Sequence, residues 1–189
     1  MKTIIVNEKS FDVKTNFEDI TIPEFIKCME ILQKDKSIPD NEKYEEMITV
    51  LSEMTSEDVG DMDFGDFTDL IRAIQVSDFV ESDGSFTGKD EVEFNGVKYK
   101  ANLKDGIYKF NTKETFLIKS KVQSSPTNYI DYLAAVVFRE VLEDGTVSKD
   151  LTPNAIANRK QIFNENLKMN IITPYLLEFG YLFSKYSHA

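Results

Sequence analysis

The stretch VEFNGVKYKANL, residues 92–103, alternates apolar and polar residues on both sides of an Asn-Gly pair. Asn95 and Gly96 both tolerate positive φ angles, so the pair is a strong signal for a two-residue β-hairpin turn. The N-terminal stretch IIVNEKSFDV, residues 4–13, has the same alternation around Asn7. The sequence therefore predicts two similar hairpins, one at the start of each half of the chain.

A third strand and a set of helices are predicted after each hairpin. Alternating triplets at residues 20–22 and 108–110 predict the strands. Capped amphipathic segments then predict about three helices in each half, the last of them near residues 66–80 and 170–186. This order predicts an α+β fold with two related halves, each a small antiparallel sheet (hairpin plus strand) packed with about three helices. Internal duplication explains the repeat; chance similarity between short amphipathic segments is the alternative.

The predicted domain organisation follows this repeat. The first unit covers residues 1–82 and the second covers 92–189, and a polar, glycine-containing segment at 83–91 is the predicted linker. The second unit carries an insertion at 140–167. The insertion has its own turn and helix signals, which are Asp144-Gly145 and Thr152-Pro153.

Composition limits the classes of function. The chain has 189 residues, of which 41% are hydrophobic, and its 22 basic and 33 acidic side chains give a net charge of −11. Such a surface repels phosphate backbones, so we expect no binding to nucleic acid. The single cysteine, Cys28, excludes an internal disulfide and is predicted to be buried among apolar neighbours. No apolar run reaches the roughly 20 residues of a membrane-spanning helix, so we expect a cytosolic protein.

Five aspartates precede an apolar run in the stretch DVGDMDFGDFTDLIRAIQ, residues 58–75. A calcium-binding EF-hand loop that began at Asp61 would place Gly65 at a ligand position and Arg72 where a glutamate belongs. Helix starts are the alternative, because Asp and Thr side chains accept hydrogen bonds from the unpaired N–H groups of a first helical turn. We therefore predict helix N-termini here, capped by Thr55, with Asp58 three residues on, and by Asp63.

Other signals for chemistry are weak. The single histidine, His188, leaves no Ser-His-Asp or Cys-His arrangement beyond a residue next to the C-terminus. A phosphate loop fails because three residues, not four, separate Gly84 from Gly88, and Asp90 follows Lys89. We therefore predict no catalytic residue, no cofactor and no metal. An enzyme that works through paired carboxylates, with or without a metal, stays as an alternative.

Aromatic side chains are concentrated near the C-terminus, in the run ITPYLLEFGYLFSKY at residues 172–186. One interpretation is a helix buried centrally between the two halves, and the other is a helix with one face that docks on a partner helix or a second subunit. Under the second interpretation the predicted partner-binding residues include apolar positions from both halves. They are Phe64, Phe67, Ile74, Tyr175, Phe179, Tyr181 and Phe183.

Three stretches together resemble tail-assembly proteins of tailed bacteriophages. LSEMTSEDVGDMDFGDFTDLIRAI, residues 51–74, resembles a helix, a short acidic turn and a helix of the form D-F-x-x-L-I-x-A-I in that family. NYIDYLAAVVFRE, residues 128–140, resembles a family helix that usually reads L-L-A-V-L-Y-R-P, with Glu140 where proline is common. NRKQIFNENLKMNIITPYLLEFGYLF, residues 158–183, resembles the closing pattern of an arginine, a phenylalanine and an apolar-aromatic helix.

The resemblance implies a non-enzymatic role in phage morphogenesis. Such a protein would be a tail-assembly chaperone that covers an apolar, helical tape-measure protein, or a minor structural component of the tail or neck. Its partners would be other phage structural proteins, and it would act in the host cytoplasm or stay in the virion. Self-association is left open. The alternative from another class is an acidic DNA mimic that inhibits a host nucleic-acid enzyme.

Overall fold

The protein forms two compact units, unit 1 (Met1–Glu81) and unit 2 (Ser82–Ala189). A computed structural model describes residues 1–76, 89–104, 107–125 and 129–186 of the chain. The described residues contain helices and small antiparallel sheets, so the predicted α+β class is confirmed. Most of the predicted linker, residues 83–88, lies outside them.

Unit 1 opens with the predicted hairpin. Strand β1 (Lys2–Val6) pairs antiparallel with β2 (Lys9–Val13), and Val6 is opposite Lys9. Asn7 and Glu8 form the turn with φ angles of 49° and 64°. Positive φ at both turn residues matches the right-handed twist of the strands, which explains why two residues suffice to connect them.

The third strand predicted at residues 20–22 is reduced to an isolated β-bridge at Thr21, because a helix begins at Ile22. Helix α1 (Ile22–Leu32) starts directly after Thr21, which has extended backbone and forms a capping box with Glu24. Pro23 lies in the first turn, where the N–H group that proline lacks would have no helical partner. Local capping therefore overrides the apolar alternation that predicted a strand.

Three further helices complete the described part of unit 1: α2 (Asp40–Leu51), α3 (Ser56–Gly60) and α4 (Phe64–Val76). Cys28 is buried, as predicted, in the apolar interior. That interior is formed by the inner face of the hairpin and by residues of α1, α2, α3 and α4. Its fully buried members include Val13, Ile22, Ile48 and Leu70.

Unit 2 also opens with the predicted hairpin, β3 (Glu91–Phe94) and β4 (Val97–Ala101). Asn95 and Gly96 have φ angles of 53° and 75°, which confirms the Asn-Gly turn. A separate two-residue ladder follows, formed by β5 (Leu103–Lys104) and β6 (Ile107–Tyr108). The strand predicted at 108–110 is therefore correct at Tyr108, but it pairs with β5 instead of the hairpin.

The third strand of the hairpin sheet comes from a segment that the sequence predicted to be helical. Helix α5 (Thr112–Ser124) is followed by α6 (Ile130–Val137), which ends where β7 (Phe138–Glu140) begins. Strand β7 pairs with β4, and the sheet order is β3-β4-β7. The helical period continues through this segment, but of the strand residues Phe, Arg and Glu only Phe138 favours a strand by itself, so pairing with the edge of β4 decides the structure here.

The predicted insertion contributes to the core of unit 2. Gly145 has a φ angle of 79° in the turn between Val141 and Val147, as the Asp-Gly pair predicted. Helix α7 (Pro153–Asn166) begins after the Thr152 cap, and α8 (Met169–Tyr186) follows it. No helix in the described ranges has the length and apolar character needed to cross a membrane.

The two units share some local features, which are the two-residue hairpin turn and a capping box at the first helix. Thr21 and Glu24 form the box in unit 1, and Asn111 and Glu114 form it in unit 2. The order of strands and helices beyond these points differs among the described residues. Internal duplication therefore stays a prediction.

Candidate partner-binding site

The aspartate-rich stretch of unit 1 is a pair of capped helix starts, as predicted. The Thr55 hydroxyl accepts a hydrogen bond from the Asp58 N–H at 3.1 Å, and Asp58 Oδ2 accepts one from the Thr55 N–H at 2.9 Å. Asp63 Oδ1 accepts a hydrogen bond from the Gly65 N–H at 2.7 Å, at the start of α4. These carboxylates satisfy N–H groups that a first helical turn leaves unpaired.

Helix α4 carries an apolar surface that is buried along one edge and exposed along the other. Leu70 is fully buried, whereas Phe64, the first residue of the helix, is 81% exposed. Phe67, Ile71 and Ile74 lie between these edges on the helical wheel and are half-buried. We call Phe64, Phe67, Ile71 and Ile74 the α4 face. It contains all three of the binding residues that the sequence predicted in unit 1.

Acidic residues are frequent in the sequence on both sides of Phe64, the exposed end of the α4 face. Residues 53–71 contain seven acidic residues and no lysine or arginine. Hydrogen bonds from the Thr55 hydroxyl and N–H, with a weaker contribution from the charge of Lys9, hold the pKa of Asp58 below its ordinary value. Asp61 Oδ2 accepts a hydrogen bond from Asn7 Nδ2 at 2.8 Å. Asp58 is paired with Lys9, and Asp69 is paired with Lys2 and Arg72, so the excess of negative charge next to Phe64 in the sequence comes from Asp61, Asp63 and Asp66.

Two of the four predicted binding residues of unit 2 are buried instead of exposed. Tyr175 and Phe179 are buried, so the prediction that they form a docking face is wrong for the described structure. The Tyr175 ring contacts those of Tyr108 and Phe138 at centroid distances of 5.5 and 5.2 Å, and its hydroxyl donates to the Lys89 carbonyl at 3.0 Å. Edge-on aromatic packing of this kind stabilises a core. These two side chains are buried, as the alternative interpretation predicts, and the placement of the helix between the two halves stays a prediction.

The remaining two predicted residues, Tyr181 and Phe183, lie near the end of α8. Their side chains lie outside the part of the chain that the structure describes. Whether they contact a partner stays a prediction.

Buried ion pairs in unit 2 are the feature that the sequence interpretation missed. Arg139 of β7 contacts Glu114 of α5 with an Nη2–Oε1 distance of 3.1 Å, and both side chains are almost completely buried. Glu114 Oε2 also accepts a hydrogen bond from the Asn111 N–H at 3.1 Å. The same carboxylate therefore caps α5 and neutralises the charge of Arg139 in β7. Burial, together with the negative charge of Glu114, raises the pKa of the neighbouring Tyr108 far above its ordinary value. Two signals were present in the sequence: a glutamate at a capping position, Glu114, and an arginine that directly follows an apolar run, Arg139.

A second ion pair lies on the other side of the same strand. Arg159 of α7 has no exposed surface, and it donates to the Glu140 carboxylate at 2.9 Å. It also donates to the carbonyl oxygens of Ala135 and Asp150, at 2.7 and 2.8 Å. Adjacent residues on a strand point to opposite faces, so Arg139 and Glu140 fix β7 from both sides. These contacts are structural.

The structure brings together no group of three or more His, Cys, Asp or Glu side chains that could hold a metal ion, within the described ranges. A comparison with protein-family models finds no match, and comparisons with curated proteins and with solved structures find none either.

Proposed function

We propose that this chain is a non-enzymatic bacteriophage morphogenesis protein that binds other phage proteins through the α4 face. Its partner would be a tape-measure, tail or neck protein. The protein would act as a tail-assembly chaperone or as a minor component of the virion. The observation that carries the proposal is the exposure of Phe64 at the start of an apolar helix surface.

The exposure of Phe64 supports a binding role on energetic grounds. Removing a phenylalanine side chain from water contributes about 1.5–3 kcal/mol, which a folded chain forgoes when the ring stays at the surface. Phe64 adjoins half-buried side chains of the same helix, so a partner that covers the ring would extend an apolar surface that already exists. A partner helix with apolar residues three and four positions apart fits such a surface.

The acidic surroundings of Phe64 support a partner of particular chemistry. Carboxylates around the exposed ring favour a segment with lysine or arginine beside its apolar residues, because complementary charge speeds association and rejects acidic competitors. Charged residues around the apolar surface also keep the free protein soluble. A long amphipathic helix with basic flanks combines both requirements.

The family resemblance is consistent with the local structure of the stretches that carry it. Residues 51–74 contain the end of one helix, an acidic connection with the short helix α3, and then α4. Arg159 and Phe163 of the closing pattern are both fully buried in unit 2. Glu140 stands where the family often has proline, and its pairing with Arg159 gives this departure a structural role.

Coexpression with candidate phage proteins tests the proposal. A tagged copy of the chain should co-purify with a tape-measure, tail or neck protein, and Phe64→Ser should reduce the recovered partner about tenfold or more. Ile5→Ser is the matched control, because Ile5 is 70% exposed in the same unit but lies on the outer face of the hairpin. Equal recovery with both variants would contradict a role for the α4 face. Absence of any phage partner, together with absence from purified particles, would contradict the function.

The DNA-mimic alternative has less support from the described surface. Several carboxylates of the described surface are paired with lysine, whereas a DNA mimic requires continuous rows of unpaired acids. Examples are Glu24 with Lys14, Glu46 with Lys34, and Asp69 with Lys2. Competition between this protein and duplex DNA for a nucleic-acid enzyme would support the alternative.

A further inference from the structure

Each unit contains a hairpin turn that begins with an asparagine at positive φ. Asn7 has a φ angle of 49° and is followed by Glu8, whereas Asn95 has a φ angle of 53° and is followed by Gly96. Asn95 is the only asparagine of the sequence that directly precedes a glycine. The two turns are therefore similar at the asparagine, and they differ in the residue that follows it.

The side chains of the two asparagines also differ in their contacts. Asn7 Nδ2 donates a hydrogen bond to Asp61 Oδ2 at 2.8 Å, which ties the first turn to the end of α3. Asn95 is exposed, and its side-chain amide makes no hydrogen bond within the part of the chain that the structure describes. The Asn95 amide can therefore rotate, whereas the Asn7 amide is held.

The glycine after Asn95 removes a steric obstacle to a reaction between the side chain and the main chain. Glycine has no Cβ atom to crowd its nitrogen, and its backbone adopts more angles than that of other residues. The turn is exposed and follows β3, a strand of four residues at the end of the sheet order β3-β4-β7, so local opening of the turn costs little free energy. We propose that Asn95-Gly96 is a site of spontaneous deamidation, at which the Gly96 nitrogen attacks Asn95 Cγ.

The reaction proceeds in two steps and consumes one water molecule. In the first step a bond forms between the Gly96 nitrogen and Asn95 Cγ, and the bond from Cγ to the side-chain nitrogen breaks. Ammonia leaves with the proton that the Gly96 nitrogen gives up, and a succinimide ring remains. In the second step water adds to one of the two ring carbonyl groups and opens the ring. Opening at Cγ gives aspartate, whereas opening at the main-chain carbonyl gives isoaspartate, in which the main chain runs through Cβ.

The two products have different consequences for the hairpin. An Asp-Gly pair also favours a two-residue turn with positive φ, so the aspartate product should keep the pairing of β3 with β4. Isoaspartate lengthens the main chain by one carbon atom inside the turn, directly beside the paired residues Phe94 and Val97. The ring of Phe94 packs against that of Phe163 at a centroid distance of 6.0 Å. Isoaspartate should therefore loosen β3 from the core of unit 2 as the molecule ages.

Incubation of the folded, full-length chain in mildly alkaline buffer tests the site, because the Gly96 nitrogen reacts after it loses its proton. Peptide mass spectrometry measures the fraction of each asparagine that becomes an acid over time. Synthetic peptides with aspartate or isoaspartate at position 95 identify the two products by their retention times. Asn95 should convert at least about tenfold faster than Asn7, and both products should appear. Asn7 is the matched control within the same molecule, because its turn also has positive φ but its amide is bound to Asp61.

Asn95→Asp supplies the aspartate product directly and separates the two consequences for the hairpin. Hydrogen exchange of the β3 amides in the freshly prepared variant should match that of the wild type. The isoaspartate form, isolated chromatographically from the incubated chain, should exchange the same amides at least about tenfold faster, because exchange reports local opening.

Conversion of Asn95 no faster than that of Asn7 in the folded chain would overturn the proposal, and so would conversion of Asn95 only after denaturant is added. Equal exchange of the β3 amides in the isoaspartate form and in Asn95→Asp would contradict the effect on the hairpin. The inference goes beyond the proposed function, and its failure would leave the phage assignment untouched, since the α4 face lies in unit 1.

Discussion

Arg159 is fully buried in unit 2 and donates a hydrogen bond to the carboxylate of Glu140, with a distance of 2.9 Å between Nη1 and Oε2. The same guanidinium donates to two main-chain carbonyl oxygens, one in α6 and one before α7. One side chain therefore joins the end of α6, strand β7 and the approach to α7. The fixed fork of an arginine suits this task, because it holds several donors in one plane.

We expect Arg159→Lys to destabilise unit 2 by roughly 2–3 kcal/mol. Lysine keeps the charge but cannot reach all three acceptors, and a buried carbonyl oxygen without its donor costs about 1–3 kcal/mol. The expected loss of stability is limited because the Glu140 side chain is 33% exposed and its carboxylate can turn toward water. Urea unfolding measures the change in the free energy of unfolding.

Lys149→Ala is the control for that measurement, because Lys149 is exposed in the same region and should change stability by less than about 0.5 kcal/mol. Equal stability of Arg159→Lys and the wild type would contradict the bridging role of the guanidinium.

Glu24 should make the stability of unit 1 depend on pH. Burial acts to raise its pKa, but hydrogen bonds from Lys14 and from Thr21 outweigh burial, so the pKa is lower than the ordinary value of 4.5. A lowered folded-state pKa contributes stability that is complete above the unfolded value and is lost as the pH falls through the folded value. The stability difference between the wild type and Glu24→Gln should therefore be constant near pH 7 and shrink below about pH 4. A stability difference that grows on acidification would contradict a lowered pKa of Glu24.

Cys28 should be unreactive in the folded protein. Burial, with a further contribution from the negative charge of Glu24, raises the pKa of its thiol to about 12. Because the thiolate is the reactive form, a thiol-specific disulfide reagent at pH 8 should label Cys28 only after denaturant is added. Rapid labelling of one thiol per chain without denaturant would show that the helix α1 region opens readily.

The turn of the β3–β4 hairpin should be sensitive to a single methyl group. Gly96 has a φ angle of 75°, and a Cβ atom there meets no atom within 4 Å, so strain comes from the backbone alone. We expect Gly96→Ala to cost about 1–2 kcal/mol in the free energy of unfolding. Gly180→Ala is the matched control: this helical glycine has equal space, and the substitution should be neutral or stabilise the unit by up to about 1 kcal/mol.

Local signals in the sequence predicted the hairpins and the helix starts. Turn residues that accept positive φ and capping side chains act over a few neighbouring residues, so Asn95, Gly96, Thr55 and Asp63 could be recognised without tertiary information. The strand at Phe138–Glu140 could not be predicted in this way. Its pairing partner, β4, lies about 40 residues earlier in the chain, and the apolar run of α6 continues directly into Phe138.

Only part of the candidate site could be predicted from the sequence, and the reason is similar. Helical spacing identifies an apolar side of a helix, but it does not tell whether the rest of the fold covers that side. Phe64 and Tyr175 both belong to apolar runs of helices, yet one ring is 81% exposed and the other has no exposed surface. Packing between elements that are distant in sequence decides the difference.

The most direct test of the central claim is photo-crosslinking at Phe64 in cells that coexpress candidate phage tape-measure, tail and neck proteins. A photoreactive phenylalanine analogue at position 64 should give a covalent product with a tape-measure, tail or neck protein, identified by mass spectrometry. The same analogue at Ile5, which is 70% exposed, should not give that product. Cross-linking at position 64 to a host nucleic-acid enzyme, or equal products from both positions, would contradict the account.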